Sequence, residues 1–451
     1  MSLDQQRLDV WVSEHLQRVI DVRHHIHAHP ELGFDTPLTC HAIATELRMS
    51  GLEPVSITGG LWVDIGPSPP RVGLRADIDA LPLHEETDLP FSSVFEGKMH
   101  ACGHDVHAAV ALGAALALAD QPELPVGVRV IFQPAEEVLG GALSVIDEGA
   151  IEGLEQIFAL HCEPRHEVGT AGTRSGPITA ACDKFEVTLR ANGGHTARPH
   201  LTVDIVDALA RLAVTLPGLA SRRVDPRAGL SIVCGMLRAG DSPNAIPTEG
   251  VLAGTVRVMS TDAWRDCEQL IRSWIDELVG GSGADVTIDY AVGVPPVEND
   301  PEAAFNFRQA ITSVVGHHGF FIAEQSLGGE DFAWYGDSSR IALARLGVRT
   351  PGTVPTDLHQ GGFTADDAAI EVGVRMMVAV AVDAAHQLSG EDLDDLDPAE
   401  EADRAPAGPR GDTDRNGPVD QRGVTDRSGP VDQRGVTDQH GADGRLRSPA
   451  P

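Results

Sequence analysis

Lysine is almost missing from this chain. Lys98 and Lys184 are the only two in 451 residues, against 32 arginines and 67 acidic residues. The formal charge of −33 excludes the basic surface that nucleic-acid-binding proteins present, so no nucleic-acid partner is expected. Aromatic residues make up only 4%, and any core must be built from Ala, Val, Leu and Ile. Long apolar runs are lacking too. The longest, Ala108–Ala119, spans twelve residues between His107 and Asp120, whereas a membrane-spanning helix needs about 20; no membrane partner is expected. The six cysteines (Cys40, Cys102, Cys162, Cys182, Cys234, Cys267) are too sparse for a disulfide scaffold, and the opening MSLDQQRLDV has early acids and no apolar signal stretch. Both features point to the cytoplasm. Two enzyme signatures are absent as well. No G-x-S-x-G marks a serine hydrolase, and Gly97-Lys98 is followed by Met99 rather than by the Ser or Thr of a phosphate loop.

What is present has the balance of a soluble globular protein, 42% hydrophobic and 22% charged. At about 100–200 residues per domain the length predicts two or three units. Up to residue 182, short apolar or β-branched runs (Val72–Ile78, Val126–Phe132, Gln156–His161) alternate with helical stretches (His104–Ala119, Gly141–Gly149). That alternation predicts a mostly parallel sheet covered by helices. From Asp183 the pattern changes. Strands at Lys184–Ala191, Leu230–Leu237, Gly250–Met259 and Ala284–Ala291 are interleaved with helices at Val203–Leu216 and Asp262–Val279. Strand-helix-strand-strand-helix-strand is a ferredoxin-like α+β unit. From about Pro296 the first style returns, with strand Ile341–Leu346 and helix Asp366–Leu388. The expected organisation is therefore an α/β domain formed by residues 1–182 and 296–390, interrupted by an α+β domain at 183–295.

Residues 391–451 differ from both. GPVDQRGVTDR at 417–427 recurs as GPVDQRGVTDQ at 429–439, a period of twelve, and 410–417 resembles a decayed earlier copy. The repeat is polar and rich in Gly and Pro, so it cannot offset its ordering entropy and is expected to be a disordered acidic tail. It carries 15 acids and 8 bases, which leaves −26 on the body of the chain.

Four segments place acids, His or Cys at the ends of expected strands, where α/β sheets hold their ligands. They are Leu74-Arg-Ala-Asp-Ile-Asp-Ala-Leu-Pro82, Met99-His-Ala-Cys-Gly-His-Asp-Val-His107, Phe132-Gln-Pro-Ala-Glu-Glu137 and Phe158-Ala-Leu-His161; Leu358-His359 lies far off in sequence. Thiolate, imidazole and carboxylate together suit a late first-row divalent ion, and two ions sharing a site would need about this many donors. Singly, each has a blander reading: Cys102 as a buried apolar residue, Glu136-Glu137 as a solvated pair, a strand-end His as a hydrogen-bonded structural residue. Their recurrence at strand exits favours the metal.

MHACGHD, FQPAEE, ALH, GGHTARPH, GGEDF and LHxxxF occur in this order. On these motifs the chain resembles, over about residues 15–388, the di-metal amidohydrolase and exopeptidase family of hippurate hydrolases, aminoacylases, carboxypeptidases, N-acetyl-diaminopimelate deacetylases and indole-acetyl-amino-acid hydrolases. The resemblance implies a metallopeptidase-like catalytic domain with an inserted lid and dimerisation domain. It implies that Cys102, His104, Glu137, His161 and His359 bind two divalent metal ions (Zn²⁺, Mn²⁺ or Co²⁺). Glu136 is then general base and general acid, Asp79 supports the base or a ligand, and Asp105 orients an imidazole. One departure is Val106-His107-Ala108, where this branch usually has Gly-His-Thr.

The implied reaction is hydrolysis of the amide bond of an N-acyl amino acid, a peptide or a related small amide. His195, in the inserted domain, would stabilise the oxyanion in a partner subunit's site, which implies a homodimer. Asn244 and Arg257 would bind the substrate carboxylate, a task that suits the bidentate arginine fork. The alternative is an inactive relative that binds metal or amino acid; an intact Glu136 and five ligand positions argue against it. The Arg23-His-His-Ile-His-Ala-His29 tract is expected to be structural.

Overall fold

The computed structural model describes residues 3–390; the expected tail lies outside them. Two helices open the chain, α1 (Gln5–Ala28) and α2 (Pro37–Met49), followed by strands β1 (Val55–Ile57), β2 (Gly60–Ile65) and β3 (Pro70–Asp77). Then come α3 (His104–Asp120), β4 (Gly127–Gln133), α4 (Gly141–Asp147), β5 (Gln156–Glu167), β6 (Ala171–Thr173) and β7 (Gly176–Pro177). The middle of the chain forms β8 (Cys182–Arg190), β9 (Gly194–His195), α5 (Ile205–Arg223), β10 (Ser231–Ala239), β11 (Ala245–Ile246), β12 (Glu249–Arg257), α6 (Thr261–Val279) and β13 (Asp285–Val294). The last part adds β14 (Glu298–Asn299), α7 (Pro301–Gly319), β15 (Phe320–Ile322), β16 (Arg340–Arg349) and α8 (Ala368–Ser389).

Eight strands form one sheet in the order β1-β2-β4-β3-β5-β16-β6-β15. Its four central strands, β4, β3, β5 and β16, run parallel, and antiparallel pairs occur toward the edges. Both faces of the centre are buried, so these strands read as continuous apolar runs. Val130 and Phe158 belong to the core beneath α1, α3 and α8, while their neighbours Ile131 and Ile157 pack on the other face with Ala142, Phe332 and Tyr335. The aromatic-poor composition is met by α3, whose Ala-rich surface is buried from His104 to Leu118.

Strands β10-β12-β8-β13 form a second, wholly antiparallel sheet with α5 and α6 on one face. Here the pattern alternates, as a sheet covered on one side requires: Ile232 is 4% exposed and the adjacent Val233 57%. α5 runs past the predicted end at Leu216 and continues through Pro217 to Arg223.

Candidate metal centre

The site lies where the central parallel strands end. β3 leads into Ile78-Asp79, β4 into Pro134-Ala135-Glu136-Glu137, and His161 lies within β5, which continues to Glu167. Cys102 and His104 flank Gly103 at the start of α3. Gly103 has φ 85°, and a Cβ there would come within 2.7 Å of Cys162 Sγ; both facts require glycine between the two candidate ligands. Ala135, Leu139 and His359 are the non-glycine residues with positive φ among those described, and all three belong to this region. Such backbone costs about 1–3 kcal/mol per residue and persists where the surroundings over-determine it. His359 is held by its own N–H, which donates to the Ala101 carbonyl at 2.9 Å.

Candidate donor atoms of Cys102, His104 and His161 lie within 4.8 Å of one another, as do those of Cys102, Glu137 and His359, and those of His104, Glu136 and Glu137. The imidazoles are turned by second partners. His104 Nδ1 donates to the Asp79 carbonyl at 2.8 Å, and His161 Nδ1 donates to the Cys162 carbonyl at 2.8 Å. Each Nε2 is thereby left as the lone-pair nitrogen that faces the cluster, the arrangement metal-binding histidines use. His104 Nε2 is buried without a hydrogen-bond partner, and His161 Nε2 lies 3.5 Å from Cys102 Sγ. Burial, then the charge of Arg345, holds His161 well below the ordinary imidazole range, so it is neutral. Burial raises the Cys102 thiol, which makes a thiolate here dependent on a neighbouring cation. An orphaned buried imidazole nitrogen among thiol, imidazole and carboxylate donors fits divalent metal.

Asp79 accepts from the backbone N–H groups of Glu136 (3.0 Å) and Glu137 (3.3 Å), and so fixes the loop that aims the two carboxylates. Burial, with Glu330 and Asp331 nearby, holds the Glu136 carboxyl well above its usual range. Glu137 goes the other way. Burial opposes its charge, but the contact with His359 holds it below the usual range. Glu137 Oε1 is 3.4 Å from His359 Nε2.

The neighbouring polar core was not foreseen. Arg75 is 1% exposed and donates to Gln133 Oε1, Asp77 Oδ2 and Asp331 Oδ1 at 2.7–2.9 Å. Asp77 also accepts from His107 Nδ1 at 2.5 Å, and His107 Nε2 accepts from the Cys162 N–H at 2.9 Å. Asp331 accepts in addition from Gln133 Nε2 and the Ala142 N–H, which gives the GGEDF acid a positioning role. Asp105 does orient an imidazole, but it is that of His27 (2.9 Å), and it also binds Arg23 (2.8 Å). The Arg-His tract thus ties α1 to the starts of α3 and α8, where Asp367 receives Arg23 and His24.

The cleft above the cluster encloses about 290 Å³ and is lined by Cys102, Glu136, Glu137, His161 and His359 together with Arg257, Arg345, Thr179 and Glu330. Arg257 donates to the Leu327 carbonyl at 2.9 Å. His195 and Asn244 do not line this cleft. His195 ends β9 and pairs with Ala245 of β11, and Asn244 immediately precedes β11, where its carbonyl accepts from the Thr196 N–H; both residues are exposed. Arg345 escaped the sequence reading. The available signal was a lone charge inside the apolar run Ile341–Leu346.

Residues 73–383 match peptidase family M20/M25/M40. The chain belongs to this family. It is 34% identical to a Bacillus subtilis N-acetylcysteine deacetylase over 373 residues, 81% of this chain and 96% of that one. It is 45% identical over 368 residues to a Rhodococcus jostii protein that carries the name of a glutamate–cysteine ligase; this covers 81% of the chain but only 46% of that longer protein. Among solved structures, a dinuclear metal-binding peptidase of the M20 family from Bacillus subtilis superposes with a TM-score of 0.72 at 31% identity, covering 83% of this chain and 99% of that one.

Proposed function

We propose that the protein hydrolyses the amide bond of N-acyl amino acids with two divalent ions held by Cys102, His104, Glu137, His161 and His359. The observation that carries this reading is the convergence of these donors around the buried, unpartnered His104 Nε2. The relatives support it: one is named a deacetylase of an N-acyl amino acid and another a dinuclear peptidase. When bound, the ions would acidify water and polarise the amide carbonyl.

The chain's own residues do the rest. Glu136 takes the proton from water and hands it to the leaving amine. Asp79 acts as a positioning residue through the two backbone N–H groups it accepts. Arg257 binds the α-carboxylate at the mouth of the cleft. His195 and Asn244, which lie outside the cleft of their own chain, complete the site of a second copy in a homodimer formed through residues 183–295. The six free cysteines, one of them in the metal cluster, support a cytoplasmic protein.

The test is a panel of N-acyl amino acids and dipeptides assayed after chelation and after return of Zn²⁺, Mn²⁺ or Co²⁺. Turnover should vanish with the metal and return with at least one of these ions. Full turnover by protein shown to be metal-free by elemental analysis would refute the reading.

A further inference from the structure

Three arginines are buried among the described residues: Arg23, Arg75 and Arg345. Two of them are fully committed. Arg23 is paired with Asp105 and Asp367. Arg75 is paired with Asp77, Glu330 and Asp331 and bonded to Gln133. Arg345 is 7% exposed, yet its guanidinium makes no hydrogen bond and no ion pair within the described residues, and it lines the metal cleft. The carboxylates whose charge reaches it are turned elsewhere. Glu163 takes Arg165 in a two-armed contact at 2.8 and 3.0 Å, and Glu330 takes Arg75 at 3.1 Å.

A largely buried cation without a protein partner is costly, and the five donors of this fork are left facing the cleft. Its position is set by strand register. Arg345 on β16 stands directly across from His161 on β5. Paired residues point to the same face of a sheet, so the guanidinium shares a face with a candidate metal ligand. Arg257 enters the same cleft from β12 and already accounts for one carboxylate. A chain whose body carries a charge of −26 repels anions except where it concentrates cations, and this cleft holds two arginines.

We propose that Arg345 binds a second carboxylate of the substrate, so that the preferred substrates are N-acyl amino acids bearing two acidic groups. This rests on the amide-hydrolase reading above. The second carboxylate has two possible sources, the amino-acid side chain or the far end of the acyl group, and matched pairs distinguish them. In the metal-loaded full-length protein, kcat/KM is compared for N-acetylglutamate against N-acetylglutamine, and for N-succinylalanine against its terminal amide. The acid of one pair should lead by about 10- to 100-fold, the range of a charged hydrogen bond. Arg345→Gln should bring that ratio close to one.

Binding is read separately by calorimetry, with glutarate against butyrate, because neither can be hydrolysed. The wild type should bind glutarate about tenfold or more tighter, and Arg345→Gln should lose the difference. Melting without ligand guards against a folding artefact. Arg345→Met should melt no lower than wild type if the cation serves a ligand, and clearly lower if it serves the fold, which would overturn the proposal. Equal rates for both pairs in the wild type, or a ratio that survives Arg345→Gln, would also overturn it. Absence of all amide hydrolysis alongside tight glutarate binding would sink the amide-hydrolase reading and leave Arg345 as the anion site.

Discussion

The two sheets hold their ion pairs differently. At the ends of the central strands of the large sheet, Arg75, Asp77, His104, His107, Gln133 and Asp331 are buried and locked by short hydrogen bonds. Around the small sheet the ion pairs, such as Arg190–Glu249 between its strands and Arg223–Glu277 between α5 and α6, lie in solvent, and the functional candidates His195 and Asn244, at the separate two-stranded β9–β11 pair, are exposed. Buried polar networks are rigid because each unmet group is expensive, whereas exposed ones are weak and adjustable. The large sheet thus brings the candidate metal ligands together within one chain. The inserted α+β part leaves its candidate groups in solvent. This contrast can be broken or sharpened by mutation.

The largest effect should come from the buried side. Glu136→Gln keeps the shape of the cluster and removes only the proton carrier, so kcat should fall by about 10²–10⁴-fold or more while metal content stays at wild-type level. Glu137→Gln should lose both metal and turnover. Elemental analysis of the two variants settles the assignment, and equal metal loss in both would show that the neighbouring roles have been confused.

Next in size is His195→Ala, which should lower kcat by about 10²–10³-fold if the imidazole supports an oxyanion. Alone, this variant and Glu136→Gln should each show only residual turnover. Mixed and allowed to exchange subunits, they should regain activity, because one hybrid site then holds an intact Glu136 and an intact His195. No recovery in a mixture shown to have exchanged would mean that the small sheet serves its own chain.

Arg257→Ala should cost about 2–3 kcal/mol in kcat/KM, the scale of a charged hydrogen bond. The loss should shrink on a substrate whose α-carboxylate is replaced by a carboxamide. A wild type that hydrolyses acid and carboxamide equally fast would remove carboxylate recognition from Arg257.

Much of this was legible in the chain. The strand runs buried on both faces and the alternating strands of the small sheet announced two different sheets; strand-exit acids, His and Cys suggested a metal, and the family resemblance supplied the individual residues of the cluster. What escaped depends on register across the sheet. Arg345 meets His161 only after strands distant in sequence are laid side by side, and Arg75 on β3 meets Asp331 only once the helical turn at 331–337 packs against the sheet. Asp105 follows a candidate ligand in sequence but faces α1, because successive residues at a helix start point in different directions. The helix expected to end at Leu216 continues through Pro217, because the buried stripe of Leu209, Leu212, Leu216 and Ala220 runs on.

The same contrast predicts where the pH dependence of stability resides. Exposed pairs of the small sheet should contribute little. In the helix layer of the large sheet, burial works against the charge of His27, but Asp105 and Glu85, bonded to its two ring nitrogens, push its pKa up to about 9 from 6.5. A raised folded-state pKa gives stability that is fully present below pH 6.5 and is lost as the pH rises through about 9. The loss across that window should be on the order of 2–3 kcal/mol, since a tenfold gain in proton affinity on folding is worth about 1.36 kcal/mol. Denaturant midpoints measured from pH 6 to pH 10 should fall in wild type and fall much less in His27→Gln, whose midpoint is lower at the acid end. A wild-type slope that survives intact in His27→Gln would move the alkaline sensitivity away from the α1 network and weaken the claim that buried charge in this layer holds α1 to α3.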